Sequence, residues 1–94
     1  MTKPKVLFLG TAPIAVPTLH ACAQLDEIEL VGVVSQPPSK RGRGRKLQPS
    51  AVHQAAEELG YPLATPHRFH GAEGDAILDR FAPDACVVIA YGQI

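Results

Sequence analysis

Residues 5–9, KVLFL, form a short apolar run closed by Gly10, and two other stretches share its character: Glu29–Val34, ELVGVV, and residues 85–90, ACVVIA. Each is too short for a helix and too continuously apolar for a strand with one face in water. Each therefore reads as a strand buried on both faces. Segments with helical spacing separate them. Across residues 14–25, Ile14, Leu19 and Ala23 recur on one side, with Pro17 tolerated in a first turn. Ser50 is a good N-cap for a helix over Ala51–Leu59, in which Val52, Ala55, Ala56 and Leu59 share a face before Gly60 closes it. A third helix is expected over residues 73–81, carrying Ala76, Ile77, Leu78 and Phe81 and stopped by Pro83, and residues 63–65 read as a short edge strand.

Strands alternating with helices indicate an α/β fold: a Rossmann-like parallel sheet with helices on both faces. The last strand, Cys86 to Ile89, is apolar enough to sit centrally, yet only the first strand is available beside it. An uncharged, β-branched edge without a partner is an aggregation hazard. The expectation is that residues 1–94 are the N-terminal piece of a longer chain, or that a complementing chain supplies the missing strands.

Ninety-four residues suit one small domain, and a hydrophobic content of 46% excludes disorder of the whole chain. A domain of this size leaves much of its surface exposed, so marginal stability is expected. Cys22 and Cys86 lie in apolar surroundings without metal-ligand spacing and read as two buried, reduced thiols in a cytoplasmic protein. The apolar run near the N-terminus is too short for a signal peptide or a membrane span.

The formal net charge is zero, but five of the nine Lys and Arg residues fall in one segment, residues 36–49, and no Asp or Glu occurs between Glu29 and Glu57. Such polarisation points to a single anionic contact. The cations are Lys40, Arg41, Arg43, Arg45 and Lys46; Pro37, Pro38 and Pro49 bracket them, and Gly42 and Gly44 separate them. A structureless connection of this length is uncommon in compact domains unless it is functional. Guanidinium forks suit phosphate oxygens, and five phosphate contacts would give a salt slope of roughly −3.5 to −4.5. A mobile, solvated loop that only aids solubility is the alternative.

Other chemistries find little support. The turn after the first strand, GTAPIA, has one glycine, and the second strand is followed by Ser35 and Gln36 instead of an acid, which argues against a dinucleotide site. No P-loop motif is present. His20, His53, His67 and His70 read as surface or loop histidines, and Asp26 with Glu29 and Glu57 with Glu58 as solvated acids. No metal site is expected.

Together VLFLGTAPIAVPTL, VVSQPPSKRGRGRKLQPSAV and VVIAYGQI resemble the N-terminal domain of the methionyl-tRNA formyltransferase family across essentially the whole chain. The resemblance implies transfer of a formyl group from 10-formyltetrahydrofolate to the methionyl amino group of initiator Met-tRNA. It implies that the basic insertion loop 36–49 meets the acceptor stem, with Arg43 at the terminal mismatched pair and Lys40, Arg41, Arg45 and Lys46 on phosphates. It also implies that the backbone of Tyr91, Gly92, Gln93 and Ile94 lines the pterin pocket. The family's catalytic Asn, His and Asp fall beyond Ile94, so no catalytic residue is assigned and the 94-residue chain alone is expected to be inactive. The sequence departs from the family's G-T-P-x-F-A at Gly10–Ala15, where the proline is displaced and Ile14 replaces the aromatic. Two alternatives stay open: a non-catalytic RNA-binding or interaction module, and a folate-dependent formyltransferase for a nucleotide or sugar, against which the basic loop argues.

Overall fold

A computed structural model describes residues 2–41 and 46–92. Four strands form the main sheet: β1 (Lys5–Gly10), β2 (Glu29–Val34), β5 (Leu63–Ala64) and β6 (Ala85–Ile89), in the order β5-β2-β1-β6 and parallel throughout. Among the described residues two short strands, β3 (Ser39–Arg41) and β4 (Lys46–Gln48), pair only with each other. Among the described residues three α-helices connect the sheet: α1 (Val16–Gln24), α2 (Ala51–Leu59) and α3 (Gly71–Phe81).

The apolar continuity of β1 has the expected cause. Val6 and Phe8 project into a cluster with Leu19 and Cys22 of α1 and Val52, Ala55 and Ala56 of α2, whereas Leu7 and Leu9 meet Ile77 and Phe81 of α3. Helices thus cover both faces of the sheet. Each fully buried Leu, Val or Phe contributes about 1.5–3 kcal/mol by leaving water.

β2 departs from simple alternation. Its register against β1 shifts between Val6 and Leu7, so that Val6 pairs with Leu30 but Leu7 pairs with Gly32. Val31 is the extra residue, and the side-chain parity changes across it: Leu30 and Val33, three apart, share the α1/α2 face, while Val31 and Val34 pack toward α3. Gly32 lies under the ring of Phe81, where a Cβ would collide with the aromatic carbons.

The helix ends follow their capping chemistry. A 3₁₀ turn at Pro13–Ala15 precedes α1, so the α-helix proper begins at Val16, two residues later than the apolar spacing predicts. The α2 bounds agree with expectation: the Ser50 hydroxyl accepts from the His53 N–H, and Gly60 ends the helix in the left-handed region. α3 starts at Gly71, two residues earlier than expected, because the Glu73 carboxylate accepts from the His67 and Arg68 amides and draws the preceding connection onto the first turn.

Two expectations are corrected. The segment 36–49 is not structureless, because β3 and β4 pair antiparallel, with Ser39 opposite Gln48, Lys40 opposite Leu47 and Arg41 opposite Lys46. Cys86 is exposed, unlike the buried Cys22, because β6 is an edge strand among the described residues and Val88 beside it is 48% exposed.

Candidate functional site

The chain runs outward from β1 to β2 and β5, then returns across the sheet to β6 on the other side of β1. Where the order reverses, the connections leaving β1 and β6 diverge, and the crevice beyond their carboxyl ends is where open α/β sheets bind ligands. Here that place is occupied by the turn at Gly10–Thr11 and by Ala90, Tyr91 and Gly92.

Hydrogen bonds bind these segments together. The Thr11 and Ala12 amides donate to the Ala90 carbonyl at 3.1 and 3.3 Å, and the Val52 amide of α2 donates to the Thr11 carbonyl at 3.4 Å. The Thr11 hydroxyl donates to the Tyr91 carbonyl at 2.9 Å and accepts from the Gln36 amide at 3.3 Å. The Gln36 side-chain amide donates to the same Tyr91 carbonyl at 2.7 Å. Thr11 therefore joins the ends of three strands.

Beside this knot rises the β3–β4 hairpin. Its base is closed by two fully buried hydroxyls, Ser35 and Ser50, whose oxygens lie 2.5 Å apart. Ser35 directly follows β2, and Ser50 caps α2, so the pair fixes where the inserted segment leaves and rejoins the fold. Beyond it the hairpin stands in water: Lys40, Lys46 and Gln48 are exposed, and Leu47 is 67% exposed. The structure brings Lys40 and Lys46 onto facing strands and places the Arg41 backbone opposite Lys46. Arg43 and Arg45 lie outside the described residues.

Of the four positions expected to line a pterin pocket, Tyr91 and Gly92 are described; Gln93 and Ile94 lie outside the described residues. The Tyr91 side chain belongs to the core, packed edge-on to Phe69 with ring centroids 6.1 Å apart. Its hydroxyl is buried and has no hydrogen-bond partner among the described residues. Burial, and secondarily the charge of Glu73, raise its pKa. Tyr91 is buried and its carbonyl is already engaged, so what this end of β6 exposes is Gly92. In the 3₁₀ turn that follows Thr11 and Ala12, Ile14 is 73% exposed.

His20, His67 and His70 are exposed, as expected. His53 is not a surface histidine: its position in the first turn of α2 half-buries it, with Nε2 3.3 Å from Glu57 and a buried Nδ1 that has no partner among the described residues. Among the described residues no group of His, Cys, Asp or Glu could hold a metal ion, and no helix is long and apolar enough to cross a membrane.

Comparison with known proteins decides the family. Residues 4–94 match the formyl transferase family model. The chain belongs to this formyl transferase family. It is 44% identical over 90 residues to the methionyl-tRNA formyltransferase of Paracoccus denitrificans, and 46% identical over 90 residues to that of Novosphingobium aromaticivorans. Each alignment covers 96% of this chain and 30% of the relative. A Synechococcus methionyl-tRNA formyltransferase is 48% identical over 90 residues, covering 95% of this chain and 26% of the relative. The chain thus spans under a third of the length of these curated relatives.

Sequence reading passed over three polar residues of this formyl transferase rim. Ser35 and Gln36 were informative only as the missing acid of a dinucleotide site, and Thr11 only as part of an altered turn. Their common signal is a small or amide side chain directly after a buried strand. Such a residue must satisfy the last backbone groups of the sheet.

Proposed function

We propose that the chain forms part of the N-terminal domain of a methionyl-tRNA formyltransferase, which moves a formyl group from 10-formyltetrahydrofolate to the methionyl amino group of initiator Met-tRNA. The observation that carries this reading is the solvent-facing cationic hairpin rooted at the carboxyl end of the sheet, next to the ends of β1 and β6. The similarity to methionyl-tRNA formyltransferases supports a methionyl-tRNA acceptor.

In this reading Lys40, Arg41, Arg45 and Lys46 hold acceptor-stem phosphates, and Arg43 meets the terminal pair. The backbone at Tyr91–Ile94 holds the pterin of the folate. Formyl transfer also requires a neutral amine, donors for the oxyanion of the tetrahedral intermediate and a proton shuttle. These we assign to the part of the relatives' length that this chain does not span, whether it is supplied by a longer polypeptide or by a complementing chain. The 94 residues contribute substrate placement, whose value to the rate depends on that remainder. A translation substrate puts this work in the cytoplasm.

The test is Arg43→Ala, with binding of initiator and elongator tRNA compared at two salt concentrations. Loss confined to initiator tRNA is expected. Equal loss for both, with a salt slope smaller by about one, would make Arg43 a phosphate anchor only.

A further inference from the structure

The hydrogen bonds at Tyr91 do more than close a turn. A carbonyl oxygen has two lone pairs, and that of Tyr91 receives two donors, the Thr11 hydroxyl and the Gln36 side-chain amide. Its direction is therefore fixed from two sides. Because the peptide unit is planar and trans, fixing this carbonyl fixes the Gly92 N–H in the opposite direction. Gly92 has a φ of +97°, and a Cβ there would collide with the Gln36 amide, so this peptide and that side chain are fitted closely to one another.

Gln36 is also the first residue of the basic insertion. Pro37 and Pro38, each with a locked φ, are all that separate it from Ser39, where β3 begins. A displacement of the hairpin stem meets two residues that cannot turn about φ before it reaches Gln36, so less of it is absorbed on the way. The backbone amide of Gln36 donates to the Thr11 hydroxyl while its side chain donates to Tyr91, so both of its tethers end on the same carbonyl, one directly and one through Thr11.

We infer that Gln36 is a positioning residue that couples the basic hairpin to the Tyr91–Gly92 backbone, so that RNA held on the one alters the peptide offered to folate by the other. This rests on the functional reading above. Coupling of this kind is reciprocal: whatever RNA does to the affinity for folate, folate does to the affinity for RNA. Thr11 is the second member of the link. The physical element is a single doubly tethered carbonyl, and neither Gln36 nor Thr11 needs to touch a substrate.

The experiment follows backbone amide resonances of the ¹⁵N-labelled chain while a short RNA duplex with a single-stranded 3′ end is added at low salt. In the unmodified chain the Lys40, Leu47 and Gly92 amides are expected to shift with one midpoint. In Gln36→Ala the hairpin amides still shift and the Gly92 shift is lost. Thr11→Val loses it too, and Thr11→Ser, which keeps the hydroxyl, restores it. Core amides of β1 report whether each variant keeps its fold, and the Thr11 pair carries the test should Gln36→Ala fail to fold. A Gly92 amide that is silent in the unmodified chain while the hairpin responds overturns the inference alone. So does a Gly92 shift that persists in both Gln36→Ala and Thr11→Val. If no hairpin amide responds to RNA, the RNA reading fails and the coupling falls with it.

Discussion

Ser50→Ala tests the root of the hairpin. The substitution removes the hydroxyl that accepts from the His53 amide at 3.0 Å, an N-cap worth about 1 kcal/mol. It also takes away the Ser35 hydroxyl's partner at a fully buried site, where an unpaired polar group costs about 1–3 kcal/mol. The sum is about 2–4 kcal/mol. Total stability for a domain of this size is only about 5–14 kcal/mol. Thermal unfolding should shift down by about 10–25 °C. Ser35→Ala leaves the α2 cap intact and should cost about 1 kcal/mol, the net value of one hydrogen bond. In the double variant no hydroxyl is orphaned, so its cost should fall short of the sum of the singles by about 1–2 kcal/mol. The assay is urea unfolding of all four chains followed by circular dichroism. A cost below about 0.5 kcal/mol for Ser50→Ala, or strict additivity in the cycle, would refute the reasoning, since exposed positions show such values.

Three further outcomes are expected. Gly32→Ala drives a methyl group into the Phe81 ring and should cost about 1–3 kcal/mol in chemical denaturation, with part of the loss recovered when Phe81→Leu is added. Tyr91→Phe removes a buried hydroxyl that has no partner among the described residues, and should raise stability by up to about 1 kcal/mol at neutral pH. It should also flatten the alkaline limb of stability. With the folded pKa raised, the unfolded chain loses the Tyr91 proton first as pH climbs past about 10, so the parent chain weakens from there through the folded pKa. In the native state a disulfide reagent should modify Cys86 before Cys22, since only Cys86 is exposed; burial raises both pKa values, so labelling should quicken as pH rises.

Much of the architecture was legible because it rests on local chemistry. Ser50 and Gly60 mark the ends of α2 by satisfying backbone groups that any helix leaves open, and the run VLFL announces a strand covered on both faces. The cationic segment declared itself by charge alone. What the chain order could not reveal was the pairing of Lys40 with Leu47, because an antiparallel ribbon of three residues a side has no apolar alternation to betray it. Nor could it reveal the exposure of Cys86, since ACVVIA reads the same at the centre of a sheet as at its edge.

The division between the two sources follows from the range of the forces involved. Helix caps, apolar periodicity and like charges clustered on neighbouring residues act within a few positions, so the sequence by itself determined the α/β alternation, the parallel sheet and the gathering of cations into one segment. The register shift that turns Gly32 under Phe81, the Ser35–Ser50 pair and the Thr11–Gln36–Tyr91 knot join residues 15 to 80 positions apart. Their geometry exists only once β1, β2 and β6 lie side by side. Tertiary structure alone therefore decided that the polar residues ending these strands hold the hairpin and the Tyr91–Gly92 backbone together.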